Sequence, residues 1–182
     1  TEYTVNITPT DEGEVTVDIP AGCCQAQSTG TNNIASPQFS IVFDSVAPGV
    51  TIDLADGQND PTSTEPIYFR VVFSEPVKGF EVSDIELSGT ANPTSVSISE
   101  VAPNDGTTYN VVVSGLSAVG NVVINFNAGA ALDAAGNGSQ APTITDNEVA
   151  FDPGNLTVAL SSSAPDPTNT PYEITITFNR AI

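Results

Sequence analysis

The sequence contains no histidine and no tryptophan, and it sets 3 basic residues, Arg70, Lys78 and Arg180, against 22 acidic ones. Each shortage closes a class of function. Without histidine there is no Ser-His-Asp or Cys-His relay and no imidazole metal site. Without a basic patch nothing neutralises phosphate, so nucleic acid and anionic membranes are excluded as partners. No apolar run is long enough for direct membrane insertion, and no stretch reads as a signal peptide. The two cysteines, Cys23 and Cys24, are adjacent and lack the CxxC spacing of a zinc site. Ideal disulfide geometry wants Cα atoms farther apart than one peptide allows, so a strained vicinal disulfide and two free thiols both fit.

What is present is acid. A net charge of −19 makes a compact state repel itself unless cations offset it. Divalent ions held by carboxylates and carbonyls are the natural offset. Disorder is the competing reading of such charge, but regular Val/Ile/Phe alternation speaks against it.

The chain also repeats itself. Tyr3–Gly22 recurs as Tyr109–Gly129, and Val50–Val77 recurs as Leu156–Ile182; the step from Tyr3 to Tyr109, and from Val50 to Leu156, is 106 residues. That period suits a small domain that buries its own core without disulfides. Ala130 and Ala131 stand where the first copy has Cys23 and Cys24, so the cysteines are expected to be local and dispensable.

Period-two alternation runs through most segments: Ile67, Phe69, Val71 and Phe73 on one face, Tyr68, Arg70 and Val72 on the other. Turn signals lie between them, at Asp56-Gly57, Asn104-Asp105-Gly106 and Gly136-Asn137-Gly138. Strands are predicted near 49–55, 67–74, 80–88, 94–102, 107–114, 121–127 and 143–151, all antiparallel in character, with no helical stripe. The predicted fold class is all-β, a row of tandem immunoglobulin-like β-sandwich domains, one complete and two partial. Residues 1–44 are the C-terminal part of repeat one, 45–152 the complete repeat two, and 153–182 the N-terminal part of repeat three. Asp44–Pro48 and Asp152–Gly154 are short linkers suited to a semi-rigid row.

Phe73–Ile85 (FSEPVKGFEVSDI), Ala128–Ser139 (AGAALDAAGNGS), the FDSVAP junction and Ala164–Thr170 (APDPTNT) together resemble the bacterial Ig-like repeats found in tandem in large cell-surface adhesins. The resemblance covers essentially the whole chain. It implies an extracellular stalk at the bacterial cell surface, often stiffened by calcium, used in attachment or biofilm formation.

Sandwich topology carries a site prediction. If the chain enters at the top and strands alternate in direction, the connection with Glu75, the loop with Asp133 and Asn137, and the linker with Asp44 all fall at the top. Calcium takes oxygen ligands of this kind. Asp84 is a second-tier ligand, because Ser83-Asp84 interrupts the alternation and suggests a bulge. The competing reading is that Asp133 and Asn137 merely cap a loop while Glu75 and Asp44 are solvated; the charge and the resemblance favour calcium. The aligned first copy has no carboxylate across Ala26–Gly30, and Arg180 of the third aligns with Glu75. Those copies should bind metal poorly, with an arginine able to replace the cation by a salt bridge.

A second acidic group, Asp53, Asp56, Asn59 and Asp60 near Asp152, lacks the spacing and closing Glu of an EF-hand loop and reads as a solvated turn, with a weak cation site as the competing reading. Paired carboxylates do not make a glycosidase without a concave apolar site, so no enzyme is expected. Asn6, Asn137 and Asn155 head glycosylation-like sequons, and Asp44-Ser45-Val46 matches an O-glycosylation pattern. The expected role is therefore a spacer whose partners are neighbouring repeats of the same chain. Other surface fibres, glycans or a secretion apparatus are further partners. The alternative is a glycan- or protein-binding module, alone or appended to a secreted enzyme, presenting residues such as Tyr68, Tyr172 and Val72.

Overall fold

A computed structural model describes residues 2–154, 157–166 and 169–178. Its centre is a two-sheet sandwich. One sheet has five strands in the order β6 (Ser95–Glu100), β7 (Thr108–Ser114), β4 (Ile67–Phe73), β3 (Val50–Leu54), β9 (Thr143–Ile144). The other has three, β10 (Glu148–Phe151), β8 (Gly120–Asn125), β5 (Glu86–Ser88). The alternation decides which side chains meet between them: Ile67, Phe69, Val71 and Phe73 from β4, Val111 and Val113 from β7, Val122 and Ile124 from β8. Each such side chain taken out of water contributes on the order of 1.5–3 kcal/mol. Phe73, Phe80, Tyr109 and Phe126 close one end with ring centroids 5.1–5.8 Å apart, mostly edge to face.

Three strand predictions are corrected. Residues 80–88 are not one strand. Phe80 turns into the core, Val82–Asp84 forms a 3-10 turn, and only Glu86–Ser88 joins a sheet. The turn is closed by Asp84, whose Oδ2 accepts the Glu81 N–H at 2.7 Å, so no bulge is needed. Residues 143–151 divide between the sheets: Thr145 and Asp146 N–H both donate to Ile52 O, and Asn147 bonds Ile124 in the other layer. The ladders are not all antiparallel either, since β9 runs parallel to β3, with Thr51 opposite Thr143.

Outside the sandwich stand two two-stranded sheets, β1 (Gly13–Val17) with β2 (Phe39–Phe43), and β11 (Val158–Ser161) with β12 (Thr175–Phe178). The first repeats the β8–β10 register residue for residue: Gly13 faces Phe43 as Gly120 faces Phe151, and Val15 faces Ile41 as Val122 faces Val149. Residues 3–7, similar in sequence to β7, form no strand; β7 is held between β4 and β6, and residues 3–7 have no such neighbours. In the β11–β12 pair Val158 faces Phe178, two residues away from the pairing that alignment with β3–β4 implies. A shift of two keeps every side chain on its face, and these strands are exposed throughout, so no core contact fixes the register.

Candidate metal centre

Strand directions put three separate segments at the end where the chain enters the sandwich. The linker brings Asp44, the connection after β4 brings Glu75, and the loop before β9 brings Asp133. Backbone pairing locks the last two together: Lys78 N–H donates to Leu132 O at 2.7 Å and Leu132 N–H returns to Lys78 O at 2.9 Å. Carboxylate oxygens of Asp44, Glu75 and Asp133 lie within 4.8 Å of one another, the one such group among the described residues.

Asp133 is buried, at 5% exposure, and its carboxylate is held from several sides. Oδ1 accepts the N–H groups of Gly136 (2.7 Å) and Asn137 (2.9 Å), and Oδ2 accepts from Asn137 Nδ2 (2.9 Å). Burial pushes its pKa up, but the hydrogen bonds from Asn137, Gly136 and Ala135 outweigh it and hold the group below the ordinary aspartate value. Glu75 goes the other way. Desolvation, then the charges of Asp44 and Asp133, raise its pKa. Mutual repulsion at Glu75 is what a bound cation would relieve.

Asn137 belongs to the site in a different role from the one the sequence suggests. Its Nδ2 donates to Asp44 O (3.2 Å) as well as to Asp133 Oδ2, so it orients two acidic segments through N–H bonds. Asp84 is not in the three-carboxylate group; it closes the turn at residues 82–84.

The first copy tests whether Asp133 is there only to cap its loop. Gly22 N–H donates to Asn33 O, Asn33 N–H to Cys24 O, and Ala26 N–H to Thr31 O. The complete domain has the same ladder from Gly129 to Ser139 O, Ser139 to Ala131 O, and Asp133 to Asn137 O. Ala26 thus stands at the Asp133 position and Thr31 at that of Asn137, with one extra residue in the first-copy loop. There the Gly30 N–H bonds the Ala26 carbonyl at 2.8 Å, where Gly136 uses the Asp133 side chain. The hairpin closes without a carboxylate. A loop one residue longer thus closes on a backbone carbonyl, while in the shorter loop Asp133 both takes the turn N–H groups and faces its acidic neighbours.

The other sequence expectations resolve locally. Asp56 pairs with Arg70 at 3.1 Å, Asp53 Oδ1 accepts the Leu54 N–H, and Asp60 Oδ1 accepts the Ala150 N–H, so this group acts in turn and strand closure. Cys23 and Cys24 are free thiols with sulfurs 4.0 Å apart. Tyr68 and Val72 are 41% and 38% exposed on the outer face of β4, with Arg70 between them. Arg180, Asn155 and Pro167-Thr168 lie outside the described residues. One contact had no sequence signal: the Glu12 carboxylate accepts both the N–H and the hydroxyl of Ser45, binding the linker to the base of the β1–β2 pair.

The titration of Glu75 has a testable sign. Because its folded pKa lies above the ordinary value of 4.5, the folded chain takes up this proton first, and without divalent cation stability rises as pH falls from above the raised pKa towards 4.5. Asp133 does not oppose this, since its lowered pKa costs stability only as pH falls below 3.8 and on through the folded value. Glu75→Gln should flatten that slope and raise the melting temperature at pH 7 in chelator; thermal melts from pH 7 to 5 check both.

A two-layer sandwich whose chain enters at one end and leaves at the other is an immunoglobulin-like module. The chain belongs to the bacterial Ig-like domain family, whose model matches residues 44–151. Domains of this family occur in bacterial surface proteins. No curated protein and no solved structure matches the chain significantly. Among the described residues no helix is long and apolar enough to cross a membrane.

Proposed function

We propose that the chain is a spacer segment of an extracellular bacterial surface fibre or adhesin, a mechanical and non-catalytic role, with calcium setting the stiffness of the junction before the complete domain. One observation carries this reading: Asp44, Glu75 and Asp133 converge from the linker and two distant segments of the sandwich. A cation shared by all three would join their side chains directly, adding to the hydrogen bonds that Asn137 already makes to Asp44 O and Asp133 Oδ2. The donors suit calcium, which favours carboxylate and carbonyl oxygens and tolerates irregular geometry. Calcium supplies charge neutralisation and a cross-link; the rest of the junction is the chain's own work.

The linker is already pinned residue by residue. Asp44 Oδ1 accepts the Val46 N–H, Ser45 is held by Glu12, and Ala47 O and Pro48 O both accept from Gln140. These single bonds restrain residues 44–48 only in part, and a cation would remove much of the freedom that is left. The first copy, with Ala26 in place of Asp133, would lack the full acidic set, so stiffness would vary along the row. Calcium-dependent melting of the chain, with Asp133→Ala as control, tests the reading; no cation-dependent change in melting temperature sinks it.

A further inference from the structure

The segment Asp60-Pro61-Thr62 does something that the junction chemistry does not account for. It lies parallel to the end of β10, the outer strand of the three-stranded sheet. Thr62 N–H donates to Ala150 O and Asp152 N–H donates to Thr62 O, each at 2.9 Å, while Ala150 N–H donates to Asp60 Oδ1 at 2.8 Å. Thr62 is buried, at 8% exposure, although it belongs to a connection. The other terminal strand has a matching parallel seam. There β3 runs beside β9, Gln140 N–H donates to Pro48 O at 2.8 Å, and Thr145 N–H donates to Ile52 O at 3.0 Å.

We propose that the Asp60–Thr62 segment is a force-bearing clip, which with the β3–β9 seam makes the domain a link that resists tension along the row. The linkers leave from opposite ends, so tension draws β3 upward and β10 downward, each along its own axis. Hydrogen bonds across such a strand are loaded together in shear, rather than opened one after another from an end. The load arrives at β10 through Asp152, and the clip grips Ala150 and Asp152, the residues that feel it first. Without the clip, this edge of β10 would be an open ladder. The Asp-Pro-Thr sequence recurs at Asp166-Pro167-Thr168, as expected of a device that each link needs.

This inference rests on the reading of the chain as a link under load, but not on calcium, and its test is run in chelator so that the two fail separately. The full chain is tethered by its ends and held at constant force. Asp60→Ala removes the acceptor of the Ala150 N–H and is expected to speed unfolding under load roughly fivefold, the loss of about one net hydrogen bond. Glu65→Ala is the comparison. It removes the acceptor of the Gly115 and Leu116 N–H groups (2.7 and 3.0 Å), neither on a terminal strand. It should lower the melting temperature at least as much, yet unfold more slowly under load than Asp60→Ala. An unchanged rate for Asp60→Ala, or a Glu65→Ala rate equal to or above it, overturns the proposal.

Discussion

Calcium at about a hundred times its dissociation constant is expected to raise the melting temperature of the chain by roughly 10–20 °C. A ligand that binds only the folded state at that excess contributes about 2.7 kcal/mol, and for a domain of this size each kcal/mol moves the midpoint by about 4–8 °C. The sequence-distant carboxylates make the effect specific to the folded state, since unfolding scatters Asp44, Glu75 and Asp133. Asp133→Ala should abolish the response. The variant should still fold, because the first copy carries the same ladder around Ala26, in a loop one residue longer, with a backbone carbonyl taking the Gly30 N–H. In chelator its midpoint should fall, because the Gly136 and Asn137 N–H groups and Asn137 Nδ2 lose their acceptor, so the readout is the calcium-induced rise above each variant's own baseline. Melts with calcium and with chelator check all of these outcomes.

Phe80→Ala is expected to cost about 3–5 kcal/mol, the range for emptying a buried aromatic site. Phe80 is only 7% exposed and touches Phe73, Tyr109 and Phe126 with centroids 5.1–5.3 Å away, so its removal leaves a void that three rings cannot fill without moving. Phe73 precedes Glu75 by two residues and buried Val77 follows it, so the void lies under the segment that carries Glu75. The calcium-induced rise in melting temperature should therefore shrink along with the baseline. Denaturant unfolding gives the first quantity and paired melts give the second. A baseline loss under 1 kcal/mol would mean that the aromatic end does not hold this connection.

Phe80 also marks where the sequence stops being readable. The alternation of β4 and β7 states its own answer, because each strand is long and only one face is buried. Around residues 80–88 the apolar residues are too few and too evenly spread. Whether Phe80 begins a strand or plugs an end depends on Tyr109 and Phe126, distant in sequence. The division of residues 143–151 was hidden for a similar reason: its hydrogen bonds come from Ile52 in one sheet and Ile124 in the other. The three carboxylates were readable because strand direction alone brings their connections to one end. The role of Asn137 was not, since nothing in an asparagine tells whether its carbonyl or its amide will face the carboxylates. The Glu12–Ser45 clamp likewise depends on a β1–β2 register that composition does not reveal.

The central claim is that a cation fixes the junction before the complete domain, and a distance distribution across that junction tests it most directly. Spin labels at Thr16→Cys and Ser97→Cys, both exposed positions, would span it in a background carrying Cys23→Ser and Cys24→Ser. Pulsed dipolar spectroscopy on the full chain should give a broad distribution in chelator and a markedly narrower one with calcium, and Asp133→Ala should stay broad in both. A distribution whose width is the same with saturating calcium as with chelator would contradict the account.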